Sequence, residues 1–191
     1  MNAIQIIKHT NDFGVHSFVF KIRIKNGFAY MTLNKRFLRN ANLGDSDEQI
    51  IIIDSNKFLE LWKNDPRNSE RYLAIGNEAV WRKDYKFHHA EEGFSLGISN
   101  PVPLAYVHCY LTDFNESFAT KIFNSVIVKK NMIKKRPYCA FTNGITRTIW
   151  LLANGAECFP VITDRGGYDL FQFHAGISES DELFKNIEGL L

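Results

Sequence analysis

The amino-acid sequence predicts a mixed fold, α+β or α/β, in a single domain spanning residues 1–191. Short β-branched and aromatic runs fill its first third, and segments with helical periodicity become frequent in its second half. With 191 residues and 45% hydrophobic content, the chain can bury a substantial core. No internal repeat, low-complexity tract or evident linker divides it, so one domain containing both kinds of element is expected.

The first half is predicted to consist mainly of strands. The runs IQIIKH, SFVFKIRI and GFAYMTL are separated by the turn formers NDFG and KNG. Residues 50–54, IIIID, form a short apolar run that is typical of a strand buried on both faces. SNKFLELWKN then predicts a helix with Ser55 as its N-cap, and Phe58, Leu61 and Trp62 would form one apolar stripe along it.

The second half is predicted to contain more helices. A strand follows the proline-flanked segment PVP, and residues 115–125 permit a short helix. ITRTIWLLAN is apolar almost all round and predicts a buried helix that ends at Gly155. TDRGGYDLFQFHAG predicts a glycine-containing turn and a helix, and ESDELFKNIEGLL predicts a second, amphipathic helix.

The net charge of the chain does not indicate a function, but one local cluster of basic residues is either functional or simply solvated, and both interpretations are kept. Lys and Arg total 23 against 21 Asp and Glu, and a net charge of +2 is too small to indicate nucleic-acid or membrane binding. A predicted loop at residues 126–137 concentrates five basic residues: Lys129, Lys130, Lys134, Lys135 and Arg136. This run is either a solvated surface or a contact for the DNA backbone.

The sequence favours a soluble, cytoplasmic protein without membrane insertion. It shows neither a signal-peptide pattern nor a run approaching about 18 apolar residues. Cys109, Cys139 and Cys158 are odd in number and lie in apolar surroundings, which predicts reduced core thiols in a reducing compartment.

No metal site is predicted. His88, His89, Glu91 and Glu92 are residue types that bind zinc, iron or manganese. Adjacent histidines on a strand point to opposite faces, however, and neither the HExxH nor the HxxEH spacing is present.

The segment from Thr142 to Thr148 predicts a phosphate site. The strand YCAF leads into a turn in which Asn143 is the expected N-cap and Gly144 lets the backbone approach a ligand. The start of the next helix presents unpaired N–H groups, and Thr146, Arg147 and Thr148 add hydroxyls and a guanidinium. The structural alternative is that Arg147 pairs with a carboxylate at the edge of the core. Neither a Walker A loop nor a Rossmann fingerprint is present.

Two stretches resemble a known superfamily. NPVPLAYV, at residues 100–107, and FTNGITRTIWLLANGAECFPV, at residues 141–161, are similar to the ParB/sulfiredoxin-like superfamily, and within it to plasmid fertility inhibition factors. The best-matched core is residues 95–163. In the superfamily's G-x-H-R-[TY] turn, Gly144 and Arg147 match, whereas Thr146 occupies the histidine position. The resemblance implies a compact α/β fold that binds nucleotide phosphates at this turn.

The resemblance also implies a role in plasmid biology. Sulfiredoxin-type reduction is not expected because NGITRT contains no cysteine, and ParB-type segregation is not expected because only 30 residues follow Val161. Fertility inhibition factors suppress conjugative DNA transfer through type IV secretion in bacteria, some with nucleotide hydrolysis or nuclease activity. ATP or another nucleotide with magnesium is therefore the expected ligand, and DNA or a secretion component is the expected partner. The alternative is a protein without enzymatic activity that blocks a secretion component by surface contact.

Asp164 and Arg165 complete the predicted site. They follow the strand PVIT, at the end of the sheet where open α/β folds commonly bind ligands. We predict Arg147 and Asp164 as catalytic residues and Arg165 as a further phosphate ligand; a plain surface turn is the alternative. A nuclease acting through Asp164 would cleave phosphodiesters with a metal ion.

Overall fold

The computed structural model describes residues 3–10, 16–33, 48–67, 69–122 and 126–177. Within them, two four-stranded mixed sheets and six α-helices form the mixed α+β single domain that the sequence predicts. The first sheet has the order β1-β2-β3-β5. Its strands are β1 (Ile4–Thr10), β2 (His16–Ile24), β3 (Gly27–Thr32) and β5 (Val102–Pro103). Neighbours are antiparallel except for β3 and β5, which are parallel.

The second sheet carries the candidate site and has the order β4-β8-β6-β7. Its strands are β4 (Glu48–Asp54), β6 (Ala105–Ile122), β7 (Val126–Asn143) and β8 (Cys158–Asp164). β8 pairs with β4 in antiparallel fashion and with β6 in parallel, and β6 and β7 form a long antiparallel hairpin. The ends of β8 and β7 therefore lie on either side of the start of β6.

The helices connect and cover the sheets. They are α1 (Ser55–Lys63), α2 (Arg71–Ala74), α3 (Glu78–Trp81), α4 (Phe87–Ser95), α5 (Ile145–Ala153) and α6 (Arg165–Ala175). One hydrophobic core joins residues of both sheets to residues of all six helices. Among its largest fully buried side chains are Trp62, Phe20, Phe58, Phe159 and Phe171. None of the helices in the described part of the chain is both long and apolar enough to cross a bilayer.

The β4–α1 unit confirms the predicted strand and helix but changes the cap. Four consecutive isoleucines of β4 are buried, as are Phe58, Leu61 and Trp62 on α1. Asp54, rather than Ser55, is the N-cap, because its carboxylate accepts a hydrogen bond from Lys57 N at 2.9 Å. Ser55 turns inwards and its hydroxyl donates to Ala156 O at 2.5 Å, which fastens the start of α1 to the chain before β8.

The predicted helix at residues 115–125 and the predicted loop at 126–137 are both wrong. Residues up to Ile122 continue β6, and those from Val126 form β7. The ladder runs without a break from Val107↔Phe141 to Ile122↔Val126, so each strand satisfies the other's backbone groups. Local composition permitted other states here, and the long-range pairing decided between them.

Other local predictions have mixed outcomes. The helix that ends at Gly155 and the helix after Thr163 are confirmed, and Gly155 has a positive φ of 73°. All three cysteines are free and buried, as predicted. His88 and His89 lie on a helix, α4, and not on a strand. The amphipathic segment ESDELFKNIEGLL lies outside the described residues.

Candidate functional site

Three neighbouring strands bring together a carboxylate, an imidazole and a hydroxyl. The parallel register Ala105↔Val161 and Tyr106↔Ile162 continues to place His108 of β6 level with Asp164, the last residue of β8. On the other side of β6, Thr142 lies next to the end of β7. His108 therefore stands between Asp164 and Thr142.

Hydrogen bonds link these three side chains into a continuous triad. Nδ1 of His108 is hydrogen-bonded to Oδ2 of Asp164, and its Nε2 lies 2.7 Å from the Thr142 hydroxyl. An ionised carboxylate only accepts hydrogen bonds, so Nδ1 carries the proton and donates to Asp164. In that tautomer, Nε2 has a free lone pair and accepts the hydrogen of Thr142. We call this arrangement the Asp164–His108–Thr142 triad.

Two tyrosines on the same face of β6 hold the imidazole in place. The ring of Tyr110 stacks on that of His108 with an interplanar angle of 15° and a centroid distance of 5.5 Å. Tyr106 lies on the other side at 4.8 Å. The Tyr110 hydroxyl also donates to Asp164 Oδ2 at 3.4 Å. These contacts restrict the orientation of both the imidazole and the carboxylate.

The charge of Asp164 is stabilised where it lies. Burial by itself would raise its pKa, but hydrogen bonds from His108 and from the backbone of Gly167 outweigh that effect and lower the pKa. The Gly167 bond, at 2.6 Å, also makes Asp164 the N-cap of α6. Burial, together with the nearby Asp164, raises the pKa of Tyr110, so its phenol stays protonated and donates.

Gly144 forms the turn between β7 and α5. Its φ of 96° lies in the left-handed region, and an added Cβ would lie only 2.5 Å from Cβ of Ala105. Gly144, rather than the predicted Asn143, is the N-cap of α5, and among the described residues no side-chain hydrogen bond caps the start of that helix. The first-turn N–H groups of α5 therefore keep the partial positive charge of a helix N-terminus.

Arg147 holds the backbone that leads into β6. Its Nη1 donates to Pro103 O at 2.5 Å and to Leu104 O at 3.0 Å, and its Nη2 donates to Asn143 Oδ1 at 2.8 Å. The alternative prediction, that Arg147 pairs with a carboxylate, is therefore wrong for the described residues. The acceptors of its hydrogen bonds there are carbonyl and amide oxygens. Burial lowers the pKa of Arg147. Its main observed role is to join α5 to the PVPLA segment.

The other three predicted phosphate ligands, Thr146, Thr148 and Arg165, do not all lie at the turn. Thr146 is half-buried and lines two cavities beside the turn. Thr148 is 1% exposed, so its hydroxyl faces the interior and we leave it out of the site. Arg165 is exposed at the first position of α6. It does not belong to the set of described residues that line the cavity at the turn.

A cavity of about 210 Å³ opens at the start of α5, and we call it the turn cavity. One wall is formed by residues 141–146, which include Thr142 of the triad. The opposite wall is formed by residues of the helical segment between α1 and α4: Glu70, Tyr72, Leu73, Asp84, Tyr85 and Lys86. Lys86 also lines a neighbouring groove of about 240 Å³ with Thr146 and Arg147.

The described part of the basic run lies on β7, and each of its basic residues has an acidic or aromatic neighbour on β6. Lys134 pairs with Glu116 at 2.5 Å, and the Arg136 guanidinium lies 3.7 Å from the centre of the Phe114 ring. Lys135 stands opposite Asp113 in the ladder. The side chains of the other two predicted DNA ligands, Lys129 and Lys130, lie outside the described part of the structure.

Comparison with known proteins places this site in a family. Residues 50–176, about two thirds of the chain, match the family described as Plasmid Fertility inhibition factor. The chain belongs to the plasmid fertility inhibition factor family. The matched range is wider than residues 95–163, and it contains the whole Asp164–His108–Thr142 triad and Lys86.

Two individual proteins resemble this family member. The protein osa of Shigella flexneri is 29% identical over 158 residues, which cover 78% of this chain and 67% of that protein. The crystal structure of a gold(I) cyanide derivative of the Oncogenic Suppression Activity Protein, a plasmid fertility inhibition factor, superposes with a TM-score of 0.67. That structure is 23% identical and the match covers 100% of this chain and 86% of the other, which supports the shared fold.

Sequence reasoning identified Asp164 in this family member but missed His108 and Thr142 as its partners. A local signal for His108 existed in AYVHCYL, where Tyr106, His108 and Tyr110 alternate with the buried residues Val107 and Cys109. This alternation places an imidazole between two aromatic rings on one face. It does not reveal which strands lie beside β6, and the triad depends on that pairing.

Proposed function

We propose that this fertility inhibition factor binds the phosphate groups of a nucleotide in the turn cavity and hydrolyses it, and that this activity interferes with conjugative DNA transfer. One observation supports the proposal most strongly. Thr142, at the end of the Asp164–His108–Thr142 triad, lines the same cavity as the uncapped start of α5. A hydroxyl that is hydrogen-bonded to a proton acceptor thus lies in the lining of the same cavity as an anion-binding helix start.

The start of α5 favours an anion. The first turn of α5 presents backbone N–H groups and the positive end of the helix dipole. Lys86 supplies a positive charge in the lining of the same cavity, and Thr146 supplies a hydroxyl. In this proposal Arg147 contributes through the geometry of the turn, since its donors already bind carbonyl and amide oxygens.

The opposite wall favours a nucleotide over inorganic phosphate. Tyr72 and Tyr85 are exposed by 51% and 74%, so their rings are accessible to a purine or pyrimidine base. Glu70 and Asp84 lie on that wall, and carboxylates together with phosphate oxygens are the usual ligands of Mg²⁺. A nucleoside triphosphate with magnesium would match both kinds of group.

Hydrolysis follows from the orientation of His108. Asp164 holds the imidazole so that Nε2 has its lone pair directed at Thr142, which is the arrangement of a general base. Asp164 then stabilises the positive imidazolium that forms when the base takes up a proton. Asp164 is a positioning residue in this scheme.

Calorimetric titration with a non-hydrolysable ATP analogue and Mg²⁺ tests the binding step. We expect Lys86→Met to weaken the affinity about tenfold, because it removes a charge next to the phosphates. Lys83→Met is the matched control, since Lys83 is also exposed in the same segment but does not belong to the described lining of the turn cavity. Absence of binding by the wild type, or equal affinities of the two variants, would refute the phosphate site.

The link to conjugation is tested in cells. If hydrolysis is needed, a His108→Gln variant that is produced at the wild-type level should no longer reduce the transfer frequency of a susceptible plasmid. Full inhibition by this variant would support the alternative, a surface contact with a secretion component. The ParB/sulfiredoxin-like superfamily and the cytoplasmic location remain predictions that this experiment does not test.

DNA is the second candidate ligand, and an exposed basic stretch in the middle of β7 favours it. Lys134, Lys135 and Arg136 are exposed on β7, although β6 offers each of them an acidic or aromatic neighbour. If they bind the DNA backbone, affinity should fall steeply with salt, and Lys135→Gln should lower the salt dependence. A salt-independent affinity would contradict a DNA role for this run.

A further inference from the structure

We propose that Thr142 is a nucleophile that accepts the terminal phosphoryl group of a nucleoside triphosphate and forms a covalent phosphothreonine. This inference rests on the proposed nucleotide site and specifies the reaction there. Two observations carry it: Thr142 lines the turn cavity, and its hydroxyl lies 2.7 Å from the Nε2 atom of His108.

The hydrogen-bond pattern selects Thr142 over water as the attacking group. Nε2 has one lone pair, and the Thr142 hydroxyl lies 2.7 Å from it. An attacking water would have to displace that hydroxyl before His108 could take its proton. Nucleophile, base and orienting carboxylate are thus already in hydrogen-bond contact, as in other enzymes with an activated hydroxyl.

Thr142 is also accessible to a substrate. It is exposed, and it lies at the end of β7, two residues before Gly144. Thr142 and the residues that follow it, up to Thr146, line the turn cavity. A phosphate bound at the first turn of α5 would therefore lie close to Thr142.

The size and lining of the site favour a mononucleotide as the substrate. The turn cavity, about 210 Å³, is bordered by helical segments on one side and has two carboxylates on its wall. Those carboxylates would repel the continuous polyanion of a DNA duplex, whereas a single nucleotide can approach them through a magnesium ion.

The chemical step conserves atoms and charge. Oγ1 of Thr142 attacks the terminal phosphorus, and the bond from that phosphorus to the bridging oxygen of the nucleoside diphosphate breaks. The hydroxyl proton passes to Nε2 of His108, and the electron pair of the broken bond leaves with the nucleoside diphosphate. The positive imidazolium is then held by Asp164, and water can later release the phosphoryl group from threonine as inorganic phosphate.

The test is acid quenching after incubation of the full chain with ATP and Mg²⁺, followed by intact-mass and peptide analysis. We expect the mass gain of one phosphoryl group on Thr142 in the wild type, and on serine in Thr142→Ser. Thr142→Val should not be labelled, and its ATP turnover should fall about a hundredfold. Thr112→Val is the matched control, because Thr112 lies on β6 outside the described lining of the turn cavity.

Binding measurements separate this inference from the proposed function. Thr142→Val should bind the non-hydrolysable analogue like the wild type, since the first turn of α5 and Lys86 are unchanged. If the wild type binds the analogue but Thr142→Val keeps wild-type turnover, or rapid quenching never labels Thr142, the nucleophile is overturned while the nucleotide site stands. If the wild type binds no analogue, both are overturned.

Discussion

At the scale of single residues, Gly144 has two separate reasons to be glycine. Its φ of 96° is unfavourable for other residues, and a Cβ would collide with Ala105. We expect Gly144→Ala to reduce the free energy of unfolding by about 3 kcal/mol, since strain and overpacking add. Urea denaturation measures this change.

Gly97→Ala is the control for that prediction. Gly97 has a similar positive φ of 60°, but nothing lies within 4 Å of the position that a Cβ would take. The expected cost is about 1 kcal/mol, from the backbone alone. Equal costs at the two glycines would show that the contact between the turn and Ala105 is not tight.

Because the pKa of Asp164 is lowered, its contribution to the free energy of unfolding should depend on pH. Its pKa is lowered in the folded protein, so its contribution is present above the ordinary pKa of aspartate and is lost as the pH falls through the lowered value. Asp164→Asn keeps an N-cap for α6 but loses the charge next to His108. We expect a loss of about 1 to 2 kcal/mol at neutral pH that disappears in acid, measured by urea denaturation at several pH values.

The control for Asp164 is Asp169→Asn. Asp169 is exposed on the same helix, and its replacement should change the free energy of unfolding by less than about 0.5 kcal/mol at neutral pH. A deficit of Asp164→Asn that stays constant down to low pH would contradict the charged hydrogen bond.

At the scale of elements, Arg147 connects α5 to the segment before β6. Lysine keeps the positive charge but cannot donate to two carbonyls and an amide in the same fixed geometry. We therefore expect Arg147→Lys to cost about 2 kcal/mol and to speed hydrogen exchange at residues 104–107, measured by mass spectrometry. It follows that Arg147→Ala is a poor test of phosphate binding, because it also disturbs the turn.

Arg82→Lys is the matched control for this arginine. Arg82 forms an exposed ion pair with Glu78 at 2.9 Å, and such pairs contribute little. Its replacement should change stability by less than about 0.5 kcal/mol. Unchanged hydrogen exchange at residues 104–107 in Arg147→Lys would show that the guanidinium does not hold that segment.

The elements also show how far sequence reasoning reaches. The buried β4, the stripe of α1 and the glycine-ended α5 could be predicted, because each depends on local periodicity and capping. Residues 115–122 and 126–137 of the β6–β7 hairpin were expected as a helix and a loop, because these parts of the two strands are stabilised by each other. The triad was missed for the same reason: Asp164 lies 56 residues from His108, and β8 becomes the neighbour of β6 only in the folded sheet.

At the scale of the whole molecule, the three cysteines report on global unfolding. Burial, reinforced by a hydrogen bond with the thiol of Cys109, raises the pKa of Cys139 well above its ordinary value. Cys109 and Cys139 face each other across β6 and β7, and Cys158 is buried on β8. A thiol reagent should therefore label none of them in native protein and all of them across the urea transition. Rapid labelling in native buffer would contradict the burial of these three cysteines.

The central claim is that the Asp164–His108–Thr142 triad turns over a nucleotide at the start of α5. The most direct measurement is the rate of phosphate release from ATP by wild type, His108→Gln and His88→Gln, each shown to be folded. His88 is an exposed histidine of α4 and serves as the control. We predict equal rates for wild type and His88→Gln, and a rate about a hundredfold lower for His108→Gln. No phosphate release by the wild type, or the same rate in all three, would contradict the claim.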